Sequence, residues 1–173
     1  MQFEIKGLKE LTDALDPKRY KKVVTRVLNK LGSQSKTAIS REVRNTYNIK
    51  KDRLDAGFYM RRATWENLAV LLRYSGKTPG LQRFDARTTN RGVTVRVLKI
   101  GGRKVVKGAF MPGKIIGIYK RVGKERFPIK RLYGPDIPGM VNTVGEDAAQ
   151  RVLDEKADKI LSHELEYELG KGR

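Results

Sequence analysis

The sequence predicts an α+β protein in which a long N-terminal amphipathic helix and a C-terminal helix pack on an antiparallel β-sheet. Apolar residues recur at helical spacing near both ends of the chain, and they alternate with polar residues between those ends. The 173 residues suffice for one domain of ordinary size. We expect a basic α+β core domain over residues 1–140 and an acidic helical arm over residues 141–173.

The N-terminal helix is predicted from about residue 17 to residue 47, after a short strand and a turn or two of helix in the first 15 residues. Asp16-Pro17 marks its start, because aspartate caps a free amide and proline at the first helical position loses no hydrogen bond. Gly32 stands in the middle of this helix, where it costs about 1 kcal/mol relative to alanine. The pattern leaves open whether the helix bends there.

The middle of the chain is predicted to form the sheet. Val93, Val95 and Val97 alternate with Thr94, Arg96 and Leu98, a period of two that is typical of a half-buried antiparallel strand. Segments rich in glycine and basic residues, such as 101–108, are predicted as loops that face a partner. The remaining strand predictions are residues around 60, residues 66–75, and a hairpin of 115–122 with 126–132.

A connector and a second helix are predicted at the C-terminal end. Residues 133–140 hold two prolines and two glycines, which predicts an irregular connector. It is either a stiff elbow that aims the last helix or a plain loop. Thr143 and Glu146 have the spacing of a capping box, so the helix is expected to start there and to run to Leu169.

Charge is distributed very unevenly along the chain. Lysine and arginine number 38 against 19 acidic residues, a net charge of +19. Residues 1–144 hold 33 bases and 11 acids, whereas residues 145–169 hold three bases and eight acids, so the two segments carry +22 and −5. A field this strong opposes compaction unless an anion offsets it, and we therefore expect a polyanionic or acidic partner.

The residues that enzymes most often use are scarce. The chain has no cysteine and a single histidine, His163, which excludes thiolate chemistry and histidine clusters for metals. Asp85 and Glu125 stand alone among bases, so paired-carboxylate catalysis lacks a second member. We expect no enzymatic activity, cofactor or metal, a surface position for His163, and a soluble, non-secreted protein with no membrane contact.

The basic stripe of the N-terminal helix has three interpretations. It is a solvated face, a phosphate-binding face, or a face that meets acidic neighbours in an assembly. Few acidic residues share the stripe, which favours the second and third interpretations. The candidate residues for a phosphate or an acidic partner are Lys18, Lys22, Arg26, Lys30, Arg44, Arg103 and Lys104.

Residues 123–140, GKERFPIKRLYGPDIPGM, resemble the hallmark segment of the phage minor tail protein Z family, in which a basic strand precedes the C-terminal helix. Three further segments follow the order of that family: FEIKGLKEL at 3–11, RNTYNIKKDRL at 44–54, and RVLKIGGRKVVKGAFMPG at 96–113. The resemblance therefore spans nearly the whole chain.

The resemblance implies a structural protein that completes a phage or prophage tail at its head-proximal end, in the neck where tail joins head, and helps to seat the genome end. It implies a homo-oligomeric ring, a hexamer by analogy with tails, in contact with other tail and head-tail connector proteins and non-specifically with genome DNA. The expected location is the virion, after assembly in the host cytoplasm. The candidate ring interface comprises Phe127, Pro128, Ile129, Lys130, Arg131, Leu132, Tyr133 and Pro138.

One rival interpretation comes from the charge alone. A non-specific nucleic-acid-binding protein would use the excess of bases to neutralise phosphates, with a binding constant that falls steeply as salt rises. The acidic C-terminal helix argues against it, because that helix repels a polyanion locally.

Overall fold

The structure is a computed structural model that describes residues 16–113 and 115–170. The strand and helical turns predicted in the first 15 residues lie outside the described residues. The helices are α1 (Pro17–Thr46), α2 (Lys51–Asp55), a 3-10 helix (Leu81–Arg83) and α3 (Ile137–Gly170). The strands are β1 (Phe58–Arg61), β2 (Leu71–Tyr74), β3 (Arg87–Thr89), β4 (Gly92–Val95), β5 (Lys104–Lys107), β6 (Ala109–Phe110), β7 (Tyr119–Arg121) and β8 (Ile129–Arg131).

The α+β class is confirmed, and the β-structure of the described residues is divided among three small sheets. β1 pairs with β2, and β3–β4–β5 and β6–β7–β8 form two antiparallel three-stranded sheets. The predicted hairpin corresponds to β7 and β8, with shorter strands than expected. Positive φ angles at Gly101, Gly102 and Gly108 interrupt the chain on both sides of β5, which keeps the strands short.

The chain forms two compact units, each of which gathers distant segments. Unit 1 comprises Met1–Ala38, Tyr59–Arg73 and Asp147–Arg173, and unit 2 comprises Ile39–Phe58 and Tyr74–Glu146. Among the described residues, unit 1 thus joins the first part of α1 to most of α3. The expected division into a core domain and an arm after residue 140 stays a prediction.

The core of unit 1 is a seam between the two long helices. Val23, Val27 and Leu31 of α1 are at most 2% exposed. Their spacing of four residues places them on one face of the helix, as the apolar pattern predicted. Burial of each side chain contributes about 1.5–3 kcal/mol. The half-buried residues that pack against them are Tyr20, Leu153, Ala157, Ile160, Leu161 and Leu165.

Gly32 lies within a continuous α1, so the helix does not end at this glycine. A Cβ atom at position 32 would lie 2.7 Å from Val70 Cγ1 and 3.0 Å from Met60 Cε. The absent side chain therefore lets these two residues pack directly against the helix backbone. This close approach offsets the poor helix propensity of glycine.

The core of unit 2 contains Phe84, Val93 and Ile118, which are fully buried. Val93 and Val95 of β4 are buried and Arg96 is exposed, which confirms the predicted alternation over this stretch. Gly134 lies against the Phe84 ring, and a Cβ at Gly134 would lie 2.2 Å from that ring.

Two predictions about local structure are wrong. The segment expected to be a basic loop contains β5, which pairs with β4 along its whole length. The second half of the expected connector belongs to α3, which begins at Ile137. The Asp136 carboxylate accepts a hydrogen bond of 3.1 Å from the Gly139 amide, as an N-cap residue does, whereas Thr143 donates to the Gly139 carbonyl from inside the helix. Pro138 fits in the first turn because amides there need no helical acceptor.

We expect Gly32→Ala to destabilise the protein, since the new methyl group displaces the Val70 side chain. In a Val70→Ala background, the same substitution should stabilise it by up to about 1 kcal/mol through helix propensity. Urea unfolding of the four proteins in this double-mutant cycle measures both effects. Equal effects of Gly32→Ala in the two backgrounds would show that Val70 does not require the glycine.

Asp136→Ala should lower the free energy of unfolding by about 1 kcal/mol, because the Gly139 amide loses its acceptor. Asp147→Ala is the matched control, since Asp147 is an exposed aspartate in a later turn of α3. Chemical unfolding monitored by circular dichroism compares the two variants. If they are equally stable, Asp136 does not cap the helix.

Candidate assembly surfaces

Five charged side chains join α1 to α3 in unit 1, and we refer to them as the clamp: Lys22, Arg26, Lys30, Glu164 and Glu168. The three bases are four residues apart along α1 and the two acids are four residues apart along α3, so each group lies along one helix face. Lys22 Nζ lies 3.0 Å from Glu168 Oε1, and Arg26 Nη2 lies 2.5 Å from Glu168 Oε2. Arg26 Nε lies 2.9 Å from Glu164 Oε2, and Lys30 also contacts Glu164. Arg26 thus links both carboxylates.

The clamp carboxylates are buried, whereas its cations reach solvent. The side chains of Glu164 and Glu168 are 4% and 5% exposed, against 27% for Arg26. Hydrogen bonds from Lys22 and then Arg26 hold the pKa of Glu168 below its ordinary value of 4.5. The Arg26 guanidinium also lies 5.2 Å from the centroid of the Tyr167 ring.

The structure places the predicted basic stripe in two different settings. The acidic partners of Lys22, Arg26 and Lys30 belong to the same chain, so these three residues are part of the helix packing in unit 1. Lys18 is exposed in the first turn of α1, and Arg44 Nε donates to the Ser40 carbonyl at 3.1 Å. Of the stripe, Lys18 retains the solvent-facing position that the sequence predicted.

A basic cleft of about 820 Å³ opens beside the clamp in unit 1. Asn29 shapes one wall of it, because its side chain accepts from the Ala63 amide at 2.9 Å and donates to the Ala63 carbonyl at 3.1 Å. This pair of bonds holds the neighbouring Arg62 at the cleft. His163 lines the opposite wall and is exposed, as predicted. The lining residues are Arg26, Asn29, Lys30, Ser33, Gln34, Arg62, Lys159, Ile160 and His163.

The β6–β7–β8 region of unit 2 carries arginines stacked on aromatic rings. Arg121 lies 5.9 Å from the centroid of the Phe110 ring, and Arg131 lies 5.6 Å from that of Tyr133. The Arg126 guanidinium lies 5.8 Å from the centroid of Phe127, which is 65% exposed. A guanidinium held over a ring keeps its N–H donors available for a partner's carboxylate or phosphate.

Lys120 and Lys130 are directly opposite each other in the β7–β8 ladder, and both are exposed. Like charges in this position destabilise a sheet. An exposed apolar residue, Val122, lies beside them, and its amide donates to the Pro128 carbonyl at 3.1 Å. We refer to Lys120, Val122, Phe127 and Lys130 as the hairpin patch.

The predicted interface is divided between exposed and half-buried positions. Exposed members are Phe127, Pro128, Lys130 and Tyr133, and half-buried members are Ile129, Arg131, Leu132 and Pro138. Sequence reasoning missed Lys120 and Val122, although their place in the predicted hairpin was a usable signal.

Arg103 and Lys104, the last two candidate cations, differ in their contacts. Arg103 donates to the Asp85 carbonyl at 2.7 Å and pairs with the Asp85 carboxylate. The Arg103 hydrogen bond lowers the pKa of Asp85, with smaller contributions from the charges of Arg103, Arg87 and Arg96. Lys104 is exposed in β5. The Arg103 side chain is thus engaged within the chain, whereas the Lys104 side chain makes no hydrogen bond or ion pair with the residues that the structure describes.

Most of the net charge belongs to unit 2. Its sequence holds 21 basic and 7 acidic residues, a net charge of +14, whereas unit 1 holds 17 and 12, a net charge of +5. Residues 147–168 account for much of the better balance of unit 1, because they supply seven of its 12 acids.

Comparisons with known proteins give no family for the chain. No protein-family model, curated protein or solved structure matches it. Across residues 16–113 and 115–170, no helix is both long enough and apolar enough to cross a membrane.

The lowered pKa of Glu168 predicts an acid-sensitive contribution to stability. The unfolded state binds the proton more readily, so this contribution is complete above about pH 4.5 and declines as the pH falls through the lower native pKa. Glu168→Gln should cost about 1–2 kcal/mol at pH 7 and weaken the acid dependence. Urea unfolding at pH 7 and pH 3.5 measures both effects.

Glu166→Gln is the matched control for this prediction, because it removes an equal charge from an exposed position on the same helix. An acid dependence that is unchanged in Glu168→Gln would contradict the assignment of this stability to the clamp.

Proposed function

We propose that the protein is a non-enzymatic structural subunit that completes a phage or prophage tail at its head-proximal end. The resemblance of residues 123–140 to the phage minor tail protein Z family supports this function. In this proposal, the protein forms a ring in the neck, contacts other tail and head-tail connector proteins, and helps to seat the genome end.

The observation that carries the proposal is the opposed lysine pair of the hairpin patch. Lys120 and Lys130 repel each other in the isolated chain, and an anionic partner converts this repulsion into attraction. Lys130 belongs to the segment that resembles the phage family, and Lys120 lies three residues before that segment. The presence of the pair on the more basic unit indicates that the partner surface is acidic.

The hairpin patch also offers apolar area to a protein partner. Val122 and Phe127 are 68% and 65% exposed, so both present apolar surface to solvent. Burial of such side chains in an interface contributes about 25 cal/mol per Å² of apolar surface. A protein surface uses both the apolar and the basic parts of the patch, and this favours protein assembly.

Nucleic-acid binding remains the second candidate function, favoured by the +14 of unit 2. Its phosphate contacts would release counterions, so binding to duplex DNA would weaken steeply with salt. Val122 has no role in that function, whereas the exposed ring of Phe127 is able to stack on an unpaired base.

Tails that lack this protein provide the test. We expect the purified protein to decorate one tip of such tails, or to form discrete rings, in negative-stain micrographs. Val122→Glu with Phe127→Glu should reduce decoration at least about tenfold, because both substitutions place charge in a contact that must lose its water. Binding curves from pelleted tails give the affinity.

Ile100→Glu with Ile116→Glu is the matched control, since both are apolar residues, 85% and 78% exposed, outside the hairpin patch. Light scattering that shows monomers at every concentration, with tails present and undecorated, would overturn the proposal. Tight, salt-sensitive binding to duplex DNA in those same preparations would favour the second function.

A further inference from the structure

The basic cleft of unit 1 contains cations that the clamp does not use. Among the described residues, the side chains of Arg62 and Lys159 make no ion pair or hydrogen bond, and both are exposed at the cleft. Lys30 adds a third cation that is half exposed although it contacts Glu164. The lining residues include no carboxylate. The cleft therefore presents positive charge from three different segments to whatever enters it.

An acidic face lies on the other side of the helix that supplies Lys159. Asp147, Asp154 and Asp158 are exposed and fall on one side of α3. Asp154 and Asp158 are one turn apart, about 6 Å along the axis. At 100° per residue, the mean direction of this face and that of the cleft residues of α3 are about 165° apart around the helix axis.

Two complementary faces that point in nearly opposite directions cannot satisfy each other within one chain. They can do so between copies, where the acidic face of one copy enters the cleft of the next. We propose that the basic cleft binds the acidic face of α3 from a second copy of this chain. The contact is head-to-tail, so each copy uses one cleft and one acidic face.

The occupant follows from charge and from hydrogen-bonding groups. Asp154 and Asp158 supply two carboxylates at the spacing of one helical turn to Arg62 and Lys159. A nucleic acid would also bring phosphates to the cleft, but the acidic face on the same helix would repel it. The cleft lining also holds no phenylalanine, tyrosine or tryptophan on which a base could stack, and the small His163 ring is its one aromatic group. The inference rests on the proposed ring and names the contact between its subunits.

Charge reversal tests the contact directly. The cleft variant is Arg62→Glu with Lys159→Glu, and the face variant is Asp154→Lys with Asp158→Lys. Each should raise the Kd of self-association at least about tenfold, because like charges then meet across the interface. An equimolar mixture of the two variants should associate as the native chain does, since both kinds of contact in the mixture pair opposite charges.

Sedimentation velocity at several protein concentrations, in low and physiological salt, measures these affinities. Arg61→Glu with Arg91→Glu is the control, because it makes the same change of net charge at exposed positions outside the cleft. Thermal unfolding of each variant establishes that it is folded, and the rescue in the mixture excludes misfolding as the cause of any loss.

Rescue in the mixture, with no loss in the control, supports the inference. Association of the cleft variant at native affinity would overturn it. Loss of duplex DNA binding in the cleft variant, with self-association unchanged, would overturn it and assign the cleft to phosphates. Tail decoration is measured separately from self-association. If the cleft variant self-associates at native affinity and the native protein still decorates tails, this inference fails and the proposed function stands.

Discussion

The clamp between α1 and α3 is the interaction on which unit 1 depends. Two carboxylates lie in a helix seam, where an unpaired charge costs several kcal/mol, and the three cations of α1 offset that cost only in one helix register. A shift of either helix by one turn would leave one carboxylate or one cation without its partner. The clamp thus fixes the register of α1 against α3, which the apolar contacts of the seam define less strictly. It also neutralises two of the eight acids of residues 145–169 inside the chain, which leaves the other six exposed.

A second constraint arises from the close packing of the β1–β2 region on α1 in unit 1. Gly32 lets Val70 approach the helix backbone, and Asn29 holds Ala63 through both of its amide groups. Gly32 and Asn29 lie one turn apart on α1, and their contacts hold the β1–β2 region at two positions, Val70 and Ala63. Arg62 is consequently held at the cleft by backbone contacts rather than by its own side chain. A cation that is positioned in this way remains free to bind a partner.

The sequence predicted the long elements better than their contacts. Helical spacing located α1 to within one residue, and alternation located Val93 and Val95 in the core, because both patterns depend on the chain alone. The start of α3 was misplaced since Asp136 and Thr143 both resemble caps, and only the backbone shows which one accepts an amide. Lys22, Arg26 and Lys30 were predicted to face a partner because a linear pattern cannot show which helix lies opposite. The positions of Glu164 and Glu168 among the apolar residues of α3 were the available signal.

The distribution of satisfied and unsatisfied charge connects the fold to assembly. In unit 1 the bases of α1 meet buried acids, and the remaining charges separate into a basic cleft and an acidic face on opposite sides of one helix. In unit 2 no comparable acidic segment exists in the sequence, and Lys120 and Lys130 are opposed at the surface. Folding alone leaves this like-charge pair in place, and the acidic partner proposed above would relieve its repulsion. A ring would use the two kinds of surface differently. The self-complementary charges of unit 1 would join like subunits, and the surplus of unit 2 would bind the acidic neighbour to which the ring attaches.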